Sequence, residues 1–198
     1  MTTTTKKKTT TRKPRAKVVP IPDLPRNPFA FEVLDAVSNQ KTKAKKVEAL
    51  KRYEDISLKS ILIWNFDDSI ISVLPPGEVP YVGYEDQTSY SGTLTTKLTH
   101  EIRAMHETDS FSLGASDKQG HTTIRREWKY FYLFVKGGND ALKSIRRETM
   151  FINILEGLHP LEAEILTLVK DKKLGEVYNI TKDVVVEAYP DIEWGGRS

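Results

Sequence analysis

The apolar positions of this chain fall into short helical stripes divided by turn residues. Phe29, Val33, Leu34 and Val37 recur at three- and four-residue steps. Asn27 followed by Pro28 reads as the cap and first position of that helix, where the missing proline N–H costs nothing. Ala44, Val47, Leu50 and Tyr53 follow Thr42, and Ile56, Leu58, Ile61, Leu62 and Trp64 follow Asp55, which predicts a second and a third helix. The short gaps between the three make them antiparallel or steeply angled neighbours.

Residues 67–84 break this rhythm. Pro75, Pro76, Gly77, Pro80 and Gly83 predict an extended excursion, with a short strand or helical turn over 69–74. Residues 85–120 are rich in Ser, Thr, Asp and Gly and read as a flexible insertion holding one amphipathic helix, Leu94–Glu107, with Leu94, Leu98, Ile102 and Met105 in line. The last third predicts helices over 123–136, stopped by Gly137 and Gly138, over 140–157, over 160–172 behind Pro160, and a short one between Thr181 and Pro190. IRREWKYFYLF at 124–134 and IRRETMFINIL at 145–155 echo each other. The echo reads either as a duplicated hairpin helix or as coincidence, and a single copy pair is no repeat architecture. Trp128, Tyr130, Phe131, Tyr132 and Phe134 are too dense for one helix face, so they read as core, with part meeting a second layer or a partner.

The expected fold is mainly α: one irregular helical domain over 27–198, of about six to eight helices with a Pro-rich extended segment, behind a disordered basic tail over 1–26. A chain of 198 residues is long enough to bury roughly two-thirds of its unfolded surface. There is no cysteine, which excludes disulfides, thiolate metal sites and cysteine nucleophiles, and suits a reducing compartment. The Thr/Lys-rich start lacks the apolar stretch of a secretory signal, and no apolar run approaches a membrane span; ILIW at 61–64 is typical. The expectation is a soluble protein with no membrane partner.

Charge changes the picture more than composition. The tail carries Lys6, Lys7, Lys8, Arg12, Lys13, Arg15 and Lys17 and no acid; removing those seven charges from the formal +3 leaves the remaining 181 residues at −4. Such an arm contacts phosphates through counterion release, binds an acidic protein surface, or keeps the terminus solvated. Without interleaved aromatics it offers no base stacking. A second basic cluster, KTKAKKVEALKR at 41–52, places Lys43, Lys45 and Lys46 on the predicted second helix, as a solvated face or a phosphate-contacting one. The pairs Arg125/Arg126 and Arg146/Arg147 would bring four guanidinium groups onto one anion if their helices lay side by side, or else form internal salt bridges with nearby acids such as Glu127 and Glu148. These fourteen residues are the candidates for anion or nucleic-acid contact.

Catalytic and metal chemistry find no foothold. In HEIRAMHE at 100–107 the histidines are six residues apart, too far round a helix for the shared face a metal pair needs. His159 before Pro160 reads as a helix-start residue. Asp67 and Asp68 read as a turn or, more weakly, as a divalent-ion pair. In 160–174, Glu162 and Glu164 near the start and Lys170, Lys172 and Lys173 near the end suit the helix dipole without further function. There is no Gly-rich phosphate loop and no Gly-x-Ser-x-Gly elbow. No cofactor and no enzymatic activity are expected.

The block KKVEALKRYEDISLKSILIWNFDDSI…LPPGEVPY, with RRETMFINILEGLHPLEAEILTLVKDKKL and ITKDVVVEAYPDIEWGGRS, resembles a family of small proteins of tailed bacteriophages of marine cyanobacteria and other marine bacteria. The words from Leu158 to Ala163 and from Val169 to Leu174 are the most distinctive, and the tail and the 85–120 segment stand outside the resemblance. The family brings no activity and no functional residues with it. It implies a phage protein acting in the host cytoplasm or in the virion. The function expected is therefore a non-enzymatic accessory protein that engages a phage or host protein. The alternatives are a DNA-associated protein using its tail and the 41–52 helix, and a virion structural component.

Overall fold

PLEAEILTLVK forms the helix around which the rest is laid, because it is apolar on nearly every side: Leu161, Ala163, Ile165, Leu166 and Val169 are all buried. The computed structural model describes residues 20–79, 93–107 and 121–196. In chain order these form α1 (Ala30–Ser38), α2 (Lys43–Arg52), α3 (Ile56–Phe66), α4 (Leu94–Glu107), α5 (Ile124–Glu127), a 3₁₀ helix (Trp128–Phe134), α6 (Ser144–Gly157), α7 (Pro160–Lys170), α8 (Leu174–Val177) and α9 (Lys182–Ala188). Helices α1, α3, α4, α6 and α8 all pack on α7, and α2 is held between α1 and α9. The fold is mainly helical, as expected. Two of the nine α-helices among the described residues, α5 and α8, are single turns, which accounts for the excess over six to eight.

Local chemistry sets most boundaries. Thr42 Oγ1 accepts the Lys45 N–H, Asp55 Oδ1 accepts the Ser57 N–H at 2.9 Å, and His159 Nδ1 accepts the Leu161 N–H at 3.2 Å behind the N1 proline. Burial holds the imidazole of His159 below its ordinary pKa, which suits an accepting nitrogen. The first helix starts later than expected, at Ala30 rather than Pro28. Its exposed N–H groups are capped by glutamates instead of Asn27: Glu32 accepts from Phe29 N at 2.8 Å and Glu162 from Ala30 N at 3.1 Å.

The packed chain also begins before residue 27. Ile21 and Leu24 lie against the core, the Tyr53 hydroxyl donates to the Pro22 carbonyl and accepts from Leu24 N, and Arg52 pairs with Asp23. The prolines hold this stretch extended so that the α2 C-terminus can tie it down. The seven basic tail residues, and residues 85–92 and 108–120 of the expected insertion, lie outside the described residues. Between those two stretches α4 is no loose segment: it packs on α7, and Thr95 Oγ1 accepts the Val79 N–H at 2.9 Å.

The helix expected over 123–136 is α-helical only to Glu127 and then tightens into the 3₁₀ helix. Three residues per turn stack Trp128, Phe131 and Phe134 in one row, and Phe131 and Phe134 meet Trp64 of α3 at ring-centroid distances of 5.5 and 6.2 Å. After it, Val135 forms an antiparallel bridge with Ser72, where Val73 N donates to Phe134 O and Lys136 N to Ile71 O. Where a short strand or helical turn was expected over 69–74, the described residues form this isolated bridge and no strand. Lys170, only 4 % exposed, ties down the Pro-rich segment by donating to Pro75 O and Gly77 O and pairing with Asp171.

Candidate functional site

Two concave features stand out, and they lie on different faces of α3. The first is a cleft of about 230 Å³ where the starts of α1, α3 and α5 meet, lined by Asn27, Pro28 and Phe29, by Tyr53 and Asp55, and by Thr123, Arg125, Arg126 and Glu162. Glu162 forms its floor at 1 % exposure. Its two oxygens accept from Ala30 N at 3.1 Å and Ile124 N at 2.9 Å, so one carboxyl from α7 holds the starts of two other helices. Burial pushes its pKa up to about 7, against the two backbone N–H groups and the Arg125 charge, which favour ionisation.

Arg125 pairs with Asp55 across the cleft and also reaches Pro28 O at 3.5 Å. The Arg126 side chain forms no hydrogen bond or ion pair among the described residues, and Arg126 is exposed where it lines the cleft. Asp55 thus cancels Arg125, and Glu162 is turned toward backbone N–H groups. The uncompensated charge of the cleft is that of Arg126.

The second feature is an open groove of about 340 Å³ between α3 and the 3₁₀ helix. Ile63 and Trp64 form one wall, Trp128, Lys129 and Tyr132 the other, and Ile70 and Val135 close one side. Tyr132 is 53 % exposed within it, and Ile71, beside it in sequence to Ile70, is 49 % exposed. Trp64 is buried with no acceptor for its Nε1 among the described residues. Lys129 is the only charged residue of the lining. The aromatics of 128–134 divide accordingly: Phe131 and Phe134 are core, Tyr132 is exposed in the groove, and Tyr130 is exposed outside its lining.

The candidate residues do not gather at one place. The tail cations Lys6, Lys7, Lys8, Arg12, Lys13, Arg15 and Lys17 fall outside the described residues. On α2, Lys43 pairs with Glu187 at 2.9 Å and Lys45 with Glu48 at 2.6 Å, while Lys46 is buried and donates to Asn179 O. All three have a partner within the protein, Lys43 and Lys45 on the surface and Lys46 buried. Arg147 is buried and donates to Leu133 O at 2.8 Å and Asn139 O at 2.7 Å, whereas Arg146 is exposed on α6. The four arginines therefore do not converge. Only Arg125 and Arg126 share a cleft, and the salt bridge expected of these pairs is the one from Arg125 to Asp55.

Asp67 is a turn residue, as the simpler reading had it. Its Oδ1 accepts from Ser69 N at 3.0 Å, from Ser69 Oγ at 2.8 Å and from Gly195 N at 3.2 Å, stapling the C-terminal segment to the end of α3. No group of three or more metal-ligating side chains gathers among the described residues, and no helix there is long and apolar enough to cross a membrane. Glu162 and Lys170, assigned by sequence to a helix dipole, instead make long-range contacts that nothing in their local pattern announces.

No curated protein and no solved structure matches the chain. The chain belongs to a family of unknown function (DUF6433), which matches residues 33–118 and 112–176, so the Ser/Thr-rich segment thought to stand apart lies wholly inside the family's span and the basic tail lies before it.

Proposed function

We infer that this is a non-enzymatic phage accessory protein that works in the infected cell or virion as a protein-interaction module, and that the groove between α3 and the 3₁₀ helix is its contact surface. The observation that carries this reading is the exposed aromatic wall: Tyr132 and the flanking Ile71 are half exposed beside a groove that could shelter them. Aromatic side chains in a partly desolvated groove are the usual anchors of protein interfaces. Lys129 at the rim, with no carboxylate in the lining, favours a partner segment that carries apolar side chains and an acidic flank. The phage setting comes from the resemblance of the helical body.

The DNA-associated reading rests mainly on the tail, since on the 41–52 helix Lys43 and Lys45 carry acidic partners and Lys46 is buried. The test uses the full chain as bait in infected-cell lysate beside a Tyr132→Arg variant whose helicity and melting are unchanged. One partner recovered by the native chain and lost with the variant supports the reading. Equal recovery, or binding to duplex DNA that collapses with salt in place of a protein partner, overturns it.

A further inference from the structure

We propose that the cleft at the starts of α1, α3 and α5 is a binding site for a small organic oxyanion, a carboxylate or phosphate ester with an apolar arm, recognised by Arg126. Every other charge in the cleft already has an answer inside the protein: Asp55 holds Arg125, and Glu162 is taken up by Ala30 N and Ile124 N. Arg126 is left exposed, its side chain without a partner among the described residues, on the lining of a preformed cavity of about 230 Å³. A guanidinium so placed matches the two oxygens of a carboxylate or phosphate.

Two more features give the ligand its class. Thr123 caps α5 without a side-chain hydrogen bond, which leaves its hydroxyl available to the cavity it lines, and Asn27 lines the same cavity. Phe29, Val33 and Leu58 supply an apolar wall, with Phe29 already stacked on Phe31 at 5.4 Å and therefore held in place. Pockets of this kind, apolar with a few fixed polar groups, are how proteins take small molecules. The cavity is too small for a folded partner. This site is separate from the aromatic groove, and its test is independent of the interaction reading.

The experiment titrates phenyl phosphate into the full chain at constant ionic strength and follows backbone and arginine side-chain resonances by NMR. Arg126→Ala removes the recognising group, and Arg146→Ala removes an exposed arginine elsewhere on the surface. The expected result is saturable binding, with shifts clustered at Asn27, Thr123 and Arg126, weakened about tenfold or more by Arg126→Ala and unchanged by Arg146→Ala. Arg126→Lys, which keeps the charge and loses the fork, should fall between them. No saturation below ~10 mM, or equal losses from the two alanine variants, would overturn the proposal, since either describes general attraction of an anion to surface charge.

Discussion

Residues 124–134 and 145–155 begin with the same four residues, Ile-Arg-Arg-Glu, and diverge in every structural respect that follows. Ile124 is fully buried, whereas Ile145 is 77 % exposed. In the first segment Arg125 turns inward to Asp55 and Arg126 faces solvent; in the second Arg146 faces solvent and Arg147 turns inward. The inward position has moved by one residue, which is about 100° around a helix. The first copy gives way to a 3₁₀ helix, and the second continues as α-helix to Gly157. What differs is the apolar spacing downstream. Buried positions at Phe131 and Phe134 extend a three-residue row from Trp128, while Arg147, Phe151, Ile152 and Leu155 keep three- and four-residue steps. The echo is one of sequence only, and a shared tetrapeptide does not orient a helix that its neighbours pull another way.

The sharpest test of that difference lies just beyond the 3₁₀ helix. A Cβ built on Gly138 would stand 1.7 Å from the Tyr132 carbonyl oxygen. Gly138→Ala should therefore push this segment off its bridge with Ile71 and Val73, at a cost of about 4 kcal/mol in unfolding free energy. Gly157, which closes the second segment, has only the Thr122 methyl at 3.2 Å, so Gly157→Ala should be far milder. Equal denaturant midpoints for the two variants would show that the 3₁₀ helix is not pinned by its exit.

Arg147 comes next. Its guanidinium donates to the carbonyls of Leu133 and Asn139 and so ties the second segment to the end of the first. Arg147→Met keeps the stem and strands both carbonyls, which should cost about 3 kcal/mol in chemical denaturation. A loss below that of an ordinary surface change would mean that water reaches the two carbonyls freely.

A third difference is chemical. The first segment is started by a titrating group, Glu162 on Ile124 N, and the second has no side-chain cap at all. With its pKa raised from 4.5 to about 7, folded Glu162 holds a proton that the unfolded chain has released between those values. Its contribution to stability is complete below about pH 4.5 and is lost as pH rises through about 7. The stability of the native chain relative to Glu162→Gln should thus fall by about 2 kcal/mol between pH 5 and pH 8. A gap that widens with pH would show instead that the two N–H donors outweigh burial and keep the carboxyl ionised.

Much of the fold was legible because it is local. The stripes at Val33 to Val37, Val47 to Leu50 and Leu58 to Trp64, the caps Thr42 and Asp55, and the proline start at Pro160 are all encoded within a turn or two of where they act. The 3₁₀ segment was half legible, since the aromatic surplus announced a second layer but not the tighter winding. The cleft was not. Its floor is a glutamate from residue 162 serving N–H groups at 30 and 124, and no local pattern links three such distant positions. Lys43 and Lys46 read as part of a solvated basic face because their acceptors, Glu187 and Asn179, lie on segments far along the chain, whereas Lys45 finds Glu48 within one turn of its own helix.

The smallest expected effect compares the two arginines that stand second in each echo, Arg125 and Arg146. Arg125 is 38 % exposed in its side chain, and its partner Asp55 is 18 % exposed while also capping α3 through Ser57 N. A pair half in water gains little from its charge, so Arg125→Ala should cost about 1 kcal/mol, and more of that at low than at high salt. Asp55 survives the change because Ser57 N and Oγ still satisfy one of its oxygens. Arg146→Ala, with no partner among the described residues, should be neutral to within about 0.5 kcal/mol. Urea midpoints at two salt concentrations measure both. If Arg125→Ala proved as silent as Arg146→Ala, the ion pair across the cleft would be positional only, and the inward turn of the first segment would belong to Ile124 and the aromatic row alone.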